Sequence, residues 1–576
     1  MVLKAVYRIV IAIDFGTSRS GYAYAFLEDR TIYGRTEWPG QQVPYCKTLT
    51  DLLYTPGGEA IAWGYEARRK LAELRKNHAA RDYYFFSRFK MKLREGNKTA
   101  DGPVENQNGR QFLVVNLISD YLRFIKDLAL EEIRERTAGH LLNEEILWCL
   151  TVPAIWTDAE KYLMRQAARK AGLIGTSDLE SERLWLILEP EAAAIYCQER
   201  DKLHLSAGTR FIVVDCGGGT ADIIAYETVM GEGLKEIAPG TGGAYGSTYV
   251  DESFIKKILQ PRLTAEAISK LHDEEPVEYL EMIATWERIK CAFDPHKSTS
   301  IYFPIQPRLL LILTKHYPDV LKRLAKEQDG EDANVILSSK DMSSIFNPSI
   351  DGIVQSTQEQ FNRLGSQRCD YIFLVGGFST SPVLQQRIKD EFGTRVKKIV
   401  ILPEPGAAIV QGAASFGLKP SIIRARRSRL TYGCDISAPF DQGIDPESKK
   451  FWSEAHKSWY CKDRFHTFVN IGQTIEVNEK VTHNFYPMDP SQTSVTFKFY
   501  GTKEKRVRYS DENSLEKIGQ LTVEMPDTTG GINRCVEVMM YFGKTEIQVE
   551  ARDITSGKKC ETTLLFHYTY SSDIVG

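Results

Sequence analysis

The sequence predicts an α/β protein of two related lobes followed by a β-rich C-terminal domain, and three observations carry that reading. Three apolar runs each stop at a glycine-rich turn: Ile9–Ile13 before Asp14-Phe15-Gly16-Thr17-Ser18, Phe211–Val214 before Asp215-Cys216-Gly217-Gly218-Gly219-Thr220, and Tyr371–Val375 before Gly376-Gly377. Amphipathic helical patterns fill the intervals. Beyond about Pro420 the pattern turns to polar–apolar alternation broken by Gly, Asp, Asn and Pro.

Continuous apolar runs of four or five residues suit strands covered on both faces, and ligands of such sheets bind beyond the strand ends, where these glycines fall. The first two runs also repeat one plan: strand, Asp-x-Gly, Thr, then a second apolar run at Tyr22–Phe26 or Ile223–Tyr226. Two hairpins of that kind predict two lobes clamping one ligand. Thr157-x-x-Glu160 is a capping-box pattern opening a helix with Leu163, Ala167 and Ala171 inward and Gly172 as its stop. A second helix starts at Glu189-Pro190, with Ala192, Ala193 and Ala194 permitting close approach. A third runs from Pro382, with Ser381 as its expected cap, to Gly393. Ser494–Phe499 and Glu546–Ala551 alternate as antiparallel strands do. The basic run Ile422–Leu430, with Arg424, Arg426, Arg427 and Arg429, reads as a solvated connector at a domain boundary.

Length agrees with several units, since 576 residues exceed what one core holds. With 42% apolar and 26% charged residues the chain is of ordinary globular composition, which excludes disordered, collagen-like and mucin-like readings. A net charge of −3 supplies no general field for nucleic acid or an anionic membrane. Ten cysteines without a C-x-x-C spacing form neither a disulfide framework nor a zinc site, so a reducing compartment is expected. Asp14 cuts the first apolar run too short for a signal peptide, no window approaches the ~20 apolar residues of a membrane span, and Asp573-Ile574-Val575-Gly576 matches no retention or lipidation signal. The expected location is cytoplasmic, with the basic run leaving nuclear entry open, and the sequon Asn97-Lys98-Thr99 carries no weight there.

The chemistry concentrates in the turns. Small residues with free backbone N–H groups cradle phosphate, and Gly16-Thr17-Ser18 and Gly217-Gly218-Gly219-Thr220 offer two such cradles. Asp14 and Asp215, at the strand ends, are hard oxygen groups suited to Mg2+ held largely through water. Together they fit the β- and γ-phosphates of a nucleotide. No H-E-x-x-H or Gly-x-Ser-x-Gly pattern points to a metalloprotease or an α/β-hydrolase.

In order, Ile13–Ser18, Thr151-Val152-Pro153-Ala154, Leu188–Ala194, Val214–Asp222 and Leu374–Phe378 resemble the ATPase motifs of the heat shock protein 70 family, within the actin and hexokinase superfamily. Phe89–Leu93, Val152–Trp156, Thr241–Ser247 and Arg427–Gly433 are similar to its atypical member-12 branch. The resemblance implies an actin-like ATPase domain of duplicated ribonuclease-H-like folds and then a β-sandwich without a helical lid. The first lobe would span 1–205 and 404–420, the second 206–403, and the β-rich peptide-binding domain 421–576. It implies ATP, ADP and Mg2+ as ligands, and unfolded client polypeptides and co-chaperones as partners.

By the same resemblance Asp14 and Asp215 position Mg2+. Gly16, Thr17, Ser18, Gly217, Gly218 and Gly219 bind phosphates, and Lys90 faces the γ-phosphate. Glu189, Asp215 or Asp222 orients water while Thr220 donates to the γ-phosphate. Gly246, Glu287, Lys290, Gly376 and Gly377 line the adenosine side, and Pro153 relays nucleotide state between domains. Two family arginines that sandwich adenine are missing: Cys291 follows Lys290, and Phe378-Ser379-Thr380 follows the paired glycines. At about 0.5–2 kcal/mol per stacking contact, nucleotide binding is expected to be weaker or less adenine-selective, with Phe378 restoring part by stacking. The family's acidic, leucine-rich linker is replaced by the basic run, so linker docking is expected to differ. The function expected is an atypical chaperone with a slow ATP cycle. The rivals are a nucleotide-binding adaptor without useful turnover, a sugar-kinase-like phosphotransferase and an actin-like filament.

Overall fold

The computed structural model describes residues 7–76, 82–95, 103–105, 111–137, 139, 141–175, 182–200, 205–231, 233–297, 300–477, 479–542, 545–557 and 559–563. The Asn97 sequon and the Asp573–Gly576 terminus lie outside them.

Two mixed sheets repeat one plan. In the first, Leu184–Leu188, Ile146–Val152, Ile9–Asp14, Arg19–Phe26 and Ile32–Gly34 lie in that order, with two parallel pairings followed by two antiparallel ones. In the second, Lys398–Ile401, Tyr371–Val375, Arg210–Cys216, Ala221–Val229 and Gly233–Gly243 repeat the pattern of direction. Both predicted hairpins form, with Asp14 opposite Gly21 in one and Asp215 opposite Asp222 in the other. Each glycine turn therefore sits at the same end of an equivalent central strand.

The sheets are joined by a helix pair. Glu189–Arg200 and Ala408–Leu418 share one apolar core with Val10 and Ala12 of the first sheet and Val213 and Phe373 of the second. Their approach is so close that a Cβ on Gly412 would collide with the Ala192 carbonyl, the reason for the small residues on both helices. Helix Asp158–Lys170 forms as the capping box predicts: Thr157 N–H donates to Glu160 Oε2 at 2.6 Å, and Gly172 follows its end at φ +73°. Helix Pro382–Phe392 also forms, but Ser381 does not cap it with its side chain; the hydroxyl is buried without a partner.

Beyond Leu418 the described residues contain strands and short 3-10 turns. A five-stranded antiparallel sheet (450–453, 458–469, 431–439, 494–502, 516–524) and a four-stranded one (480–485, 536–541, 548–553, 559–563) contribute to one core around Phe497, Phe499, Val538 and Met540. Ala159 of helix Asp158–Lys170 joins that core, so these sheets lean on the first lobe. Arg165 adds an ion pair to Glu546, with Nε to Oε1 at 2.8 Å.

The basic run is not a solvated connector. Ile423–Arg427 is a strand parallel to Gly233–Gly243 and extends the second sheet. Arg426 is half-buried and pairs with buried Glu191, Arg429 pairs with Glu236 at 3.0 Å, and Arg424 alone of the four arginines is exposed. Two of the charges that read as a solvated face, Arg426 and Arg429, are matched by carboxylates more than 190 residues away. Among the described residues no helix is long and apolar enough to cross a membrane, and the cysteines are free thiols.

Candidate functional site

The two glycine turns face each other. A Cβ on Gly218 would collide with Ser18 Oγ, and one on Gly219 with Thr17 Oγ1 and with Met91. Only glycine permits this approach. Thr50 braces the first turn, its N–H donating to the Ser18 carbonyl and its hydroxyl to that of Gly16, both at 2.9 Å. The second turn is braced by the start of helix Ser247–Phe254: Ser247 and Thr248 N–H donate to the Gly217 and Gly218 carbonyls at 3.1 and 2.9 Å. Gly246 sits against Gly218 and allows that contact. The carbonyls are thus turned away from the space between the turns.

Beneath the turns lie four buried carboxylates, Asp14, Glu189, Asp215 and Asp222, and two buried lysines, Lys47 and Lys90. Lys90 donates to Glu189 Oε1 at 2.7 Å and lies 5.3 Å from the Trp156 ring centroid. Lys47 pairs with Asp14 Oδ2 at 2.6 Å, and Thr151 donates to Asp14 Oδ1 at 3.2 Å. Asp222 Oδ1 accepts the Ile155 N–H at 3.0 Å, which ties the loop after Pro153 to the second lobe. Asp215 Oδ1 and Asp222 Oδ2 are buried without partners.

Charge crowding sets the electrostatics. Burial first, then the neighbouring Asp14 and Asp222, push the Glu189 carboxyl up to about 7 despite Lys90. Burial and the same crowding hold Asp215 well above the ordinary range. Burial also raises Asp222, against its bonds from Thr220 and the Ile155 N–H. Such a cluster favours an added cation. Among the described residues no three His, Cys, Asp or Glu side chains close on one point as a metal cage would. The orphaned oxygens instead fit a magnesium ion that keeps most of its water.

The remaining predicted residues divide. Gly376, at φ +81°, lies against Asp215 and Cys216, where a Cβ would collide, whereas Gly377 faces open space. Glu287 is half-buried and pairs with Arg19 at 3.4 Å. Lys290 is buried on Asp251 Oδ1 at 2.6 Å, which also accepts the Trp286 indole N–H. Phe378 is buried in the core of the second lobe facing Phe346, because the 3-10 turn Gly377–Thr380 rolls it inward. It does not offer the stacking surface expected of it. Lys47 escaped the sequence reading: a lone lysine in Tyr45-Cys46-Lys47-Thr48 has no periodicity or motif to mark it. Arg88 and Asp251, paired at 2.6 Å between the lobes, escaped it likewise.

The family model for Hsp70 protein matches residues 104–418, more than half of the chain, with two strands of the first sheet and the five described above for the second. The chain belongs to the Hsp70 family. Among its relatives, Heat shock 70 kDa protein 12A of Homo sapiens is 29% identical over 97% of this chain and 92% of that protein. Heat shock 70 kDa protein 12B of Homo sapiens is likewise 29% identical, over 98% and 92%. Chaperone protein DnaK 3 of Synechococcus sp. is 28% identical over 50% of this chain and 40% of its own. The likeness to the member-12 branch therefore runs nearly end to end, while that to the bacterial Hsp70 chain stays within half of it. Mixed sheets of repeated plan are consistent with the family's actin-like ATPase domain.

Proposed function

We propose that this Hsp70 chain binds ATP and ADP with Mg2+ between Gly16-Thr17-Ser18 and Gly217-Gly218-Gly219, turns ATP over slowly, and uses that cycle to gate client polypeptides on a C-terminal β-sandwich. The observation that carries the reading is the face-to-face approach of the two glycine turns above the unpartnered Asp215 carboxylate. Bound Mg2+ supplies positive charge to the β- and γ-phosphates. Asp215 would hold it through water. Lys90, fixed by Glu189, presents a point charge toward the γ-phosphate side. Glu189, titrating near neutrality, is suited to orient a water and accept its proton, with Asp222 and Thr220 as its neighbours in this cluster. Gly246, Glu287, Lys290, Gly376 and Gly377 would form the adenosine side.

The lobes assigned are 1–205 with 404–420 and 206–403. The client domain is 421–576, and its two antiparallel sheets around one core support the sandwich reading. Extended peptide would add to a strand edge or enter loop pockets, and without a lid it would exchange quickly, as off-rates of a fluorescent peptide would reveal. Co-chaperones and a cytoplasmic, also nuclear, location belong to the same proposal. Calorimetric titration with Mg-ATP, Mg-ADP and AMP tests it. Phosphate-dependent binding of the first two supports the reading, and no binding of any overturns it.

A second reading, a nucleotide-binding adaptor without useful turnover, is favoured by the commitment of Lys290 to Asp251 and of Phe378 to the core. Turnover that is lost in Asp215→Ala and Lys90→Ala supports the enzyme; turnover absent from the unaltered chain supports the adaptor.

A further inference from the structure

Lys47 is buried and paired with Asp14 beside the first glycine turn. Its ammonium lies 2.6 Å from Asp14 Oδ2, with side-chain exposures of 10% and 2%. Its stem packs against Gly21, the residue opposite Asp14 in the first hairpin, and it leads into Thr48–Leu49, which pairs with Arg19 and Ser20 beside the phosphate turn. The lysine is therefore part of the framework that builds the turn. Thr151 donates to Asp14 Oδ1, and Oδ2, without a hydrogen bond, has the ammonium as its ion-pair partner, whereas Asp215 Oδ1 has neither.

We infer that Lys47 is a resident cation of the phosphate cleft, occupying the Asp14 carboxylate that the family resemblance assigns to hydrated magnesium, so that nucleotide polyphosphates bind this chain with weakened dependence on Mg2+. The inference rests on the nucleotide-binding reading above. A hydrated dication reaching Asp14 has to displace the ammonium from a buried pair, leaving a buried charge uncompensated, or sit a few ångströms from a like charge. Either route disfavours magnesium on this side of the cleft. The charges divide accordingly: Lys47 neutralises Asp14, Lys90 neutralises Glu189, and Asp215 and Asp222 are left for an added cation. A compact ammonium also serves phosphate oxygens directly as a point charge.

The test is calorimetric titration of the full chain with ATP and ADP in excess Mg2+ and in EDTA. In the unaltered protein EDTA is expected to weaken binding by less than about tenfold. Lys47→Gln is expected to lower the magnesium-free affinity by about tenfold or more and the magnesium-loaded affinity less, widening the ratio between the two buffers. Because Lys47→Gln leaves Asp14 buried and unpaired, the double variant Lys47→Gln/Asp14→Asn, which removes both charges, repeats the magnesium-free measurement in a fold without that strain. It should show the same loss in EDTA. An unaltered protein that loses binding more than about a hundredfold in EDTA, or a magnesium-free affinity unchanged in the double variant, overturns the inference. Absence of binding in both buffers overturns the nucleotide-binding reading itself, an outcome distinct from strong binding that requires magnesium.

Discussion

The guanidinium of Arg426 closes on the carboxylate of Glu191, Nε to Oε1 at 2.6 Å and Nη2 to Oε2 at 2.9 Å, two residues beyond Glu189 on the same helix. The strand that continues the second sheet thereby grips the helix that starts in the buried carboxylate cluster. Glu191 is buried and the Arg426 side chain is only 12% exposed, so removing one partner strands a charge. Arg426→Ala is expected to destabilise the protein by about 3–5 kcal/mol, whereas the double change Arg426→Met/Glu191→Leu costs much less. Urea unfolding midpoints of the three proteins check this; equal loss in both variants would show that the pair acts through packing alone.

The ligand-free protein should carry a pH signature of Glu189. Its carboxyl titrates near 7 in the folded chain, from burial and crowding, against an ordinary value of 4.5. The folded state therefore binds the proton more tightly than the unfolded one between these values, and stability from this group falls as pH rises from about 4.5 to 7, then levels. The size is a few kcal/mol at most, and Glu189→Gln should flatten that part of the curve. The difference between wild-type and variant unfolding midpoints across pH 4–8 isolates the effect from other carboxylates.

Two glycines of the site should behave oppositely. A Cβ on Gly246 would collide with the carbonyl of Gly218 and so push on backbone that no rotamer change relieves. Gly246→Ala is expected to cost about 1–3 kcal/mol and to weaken nucleotide binding by shifting the triple-glycine turn. Gly377→Ala meets open space and should lie within about 0.5 kcal/mol of wild type. Thermal unfolding and nucleotide titration of the pair decide the matter.

Cys291 is exposed beside Lys290 at the end of helix Pro276–Ala292, where the resemblance to the family implies an arginine. Cys291→Arg should raise ATP affinity between about twofold and about thirtyfold, the range of one cation–π contact. Inorganic tripolyphosphate, which has no base, should bind both proteins alike. An unchanged ATP affinity would mean that adenine does not stack on this helix.

Much of this was legible because it is local. Apolar runs followed by glycines marked Ile9–Asp14, Arg210–Cys216 and Tyr371–Val375 as central strands, and the repeated Asp-x-Gly-Thr plan marked the duplication. The capping box located the start of the helix Asp158–Lys170. The glycine turns were legible as cradles because close approach needs a missing Cβ. Lys90 and Glu189 were legible only through the family motifs, since neither side chain carries a pattern of its own.

The rest depended on partners far apart in the chain. A basic run reads the same whether solvated or matched; only the arrival of Glu191 and Glu236, 235 and 193 residues away from Arg426 and Arg429, made it a buried strand edge. Phe378 follows a glycine pair, a place that suits ligand stacking, and the turn that rolls it onto Phe346 is a matter of packing. The sequence by itself determined the two hairpins, the phosphate turns and the carboxylates at the strand ends, because each is written in spacing along one stretch of chain. Tertiary structure alone decided that Asp14 is matched by Lys47 and Asp215 is left open, because the energy of a buried charge depends on what the fold brings beside it and not on its neighbours in sequence.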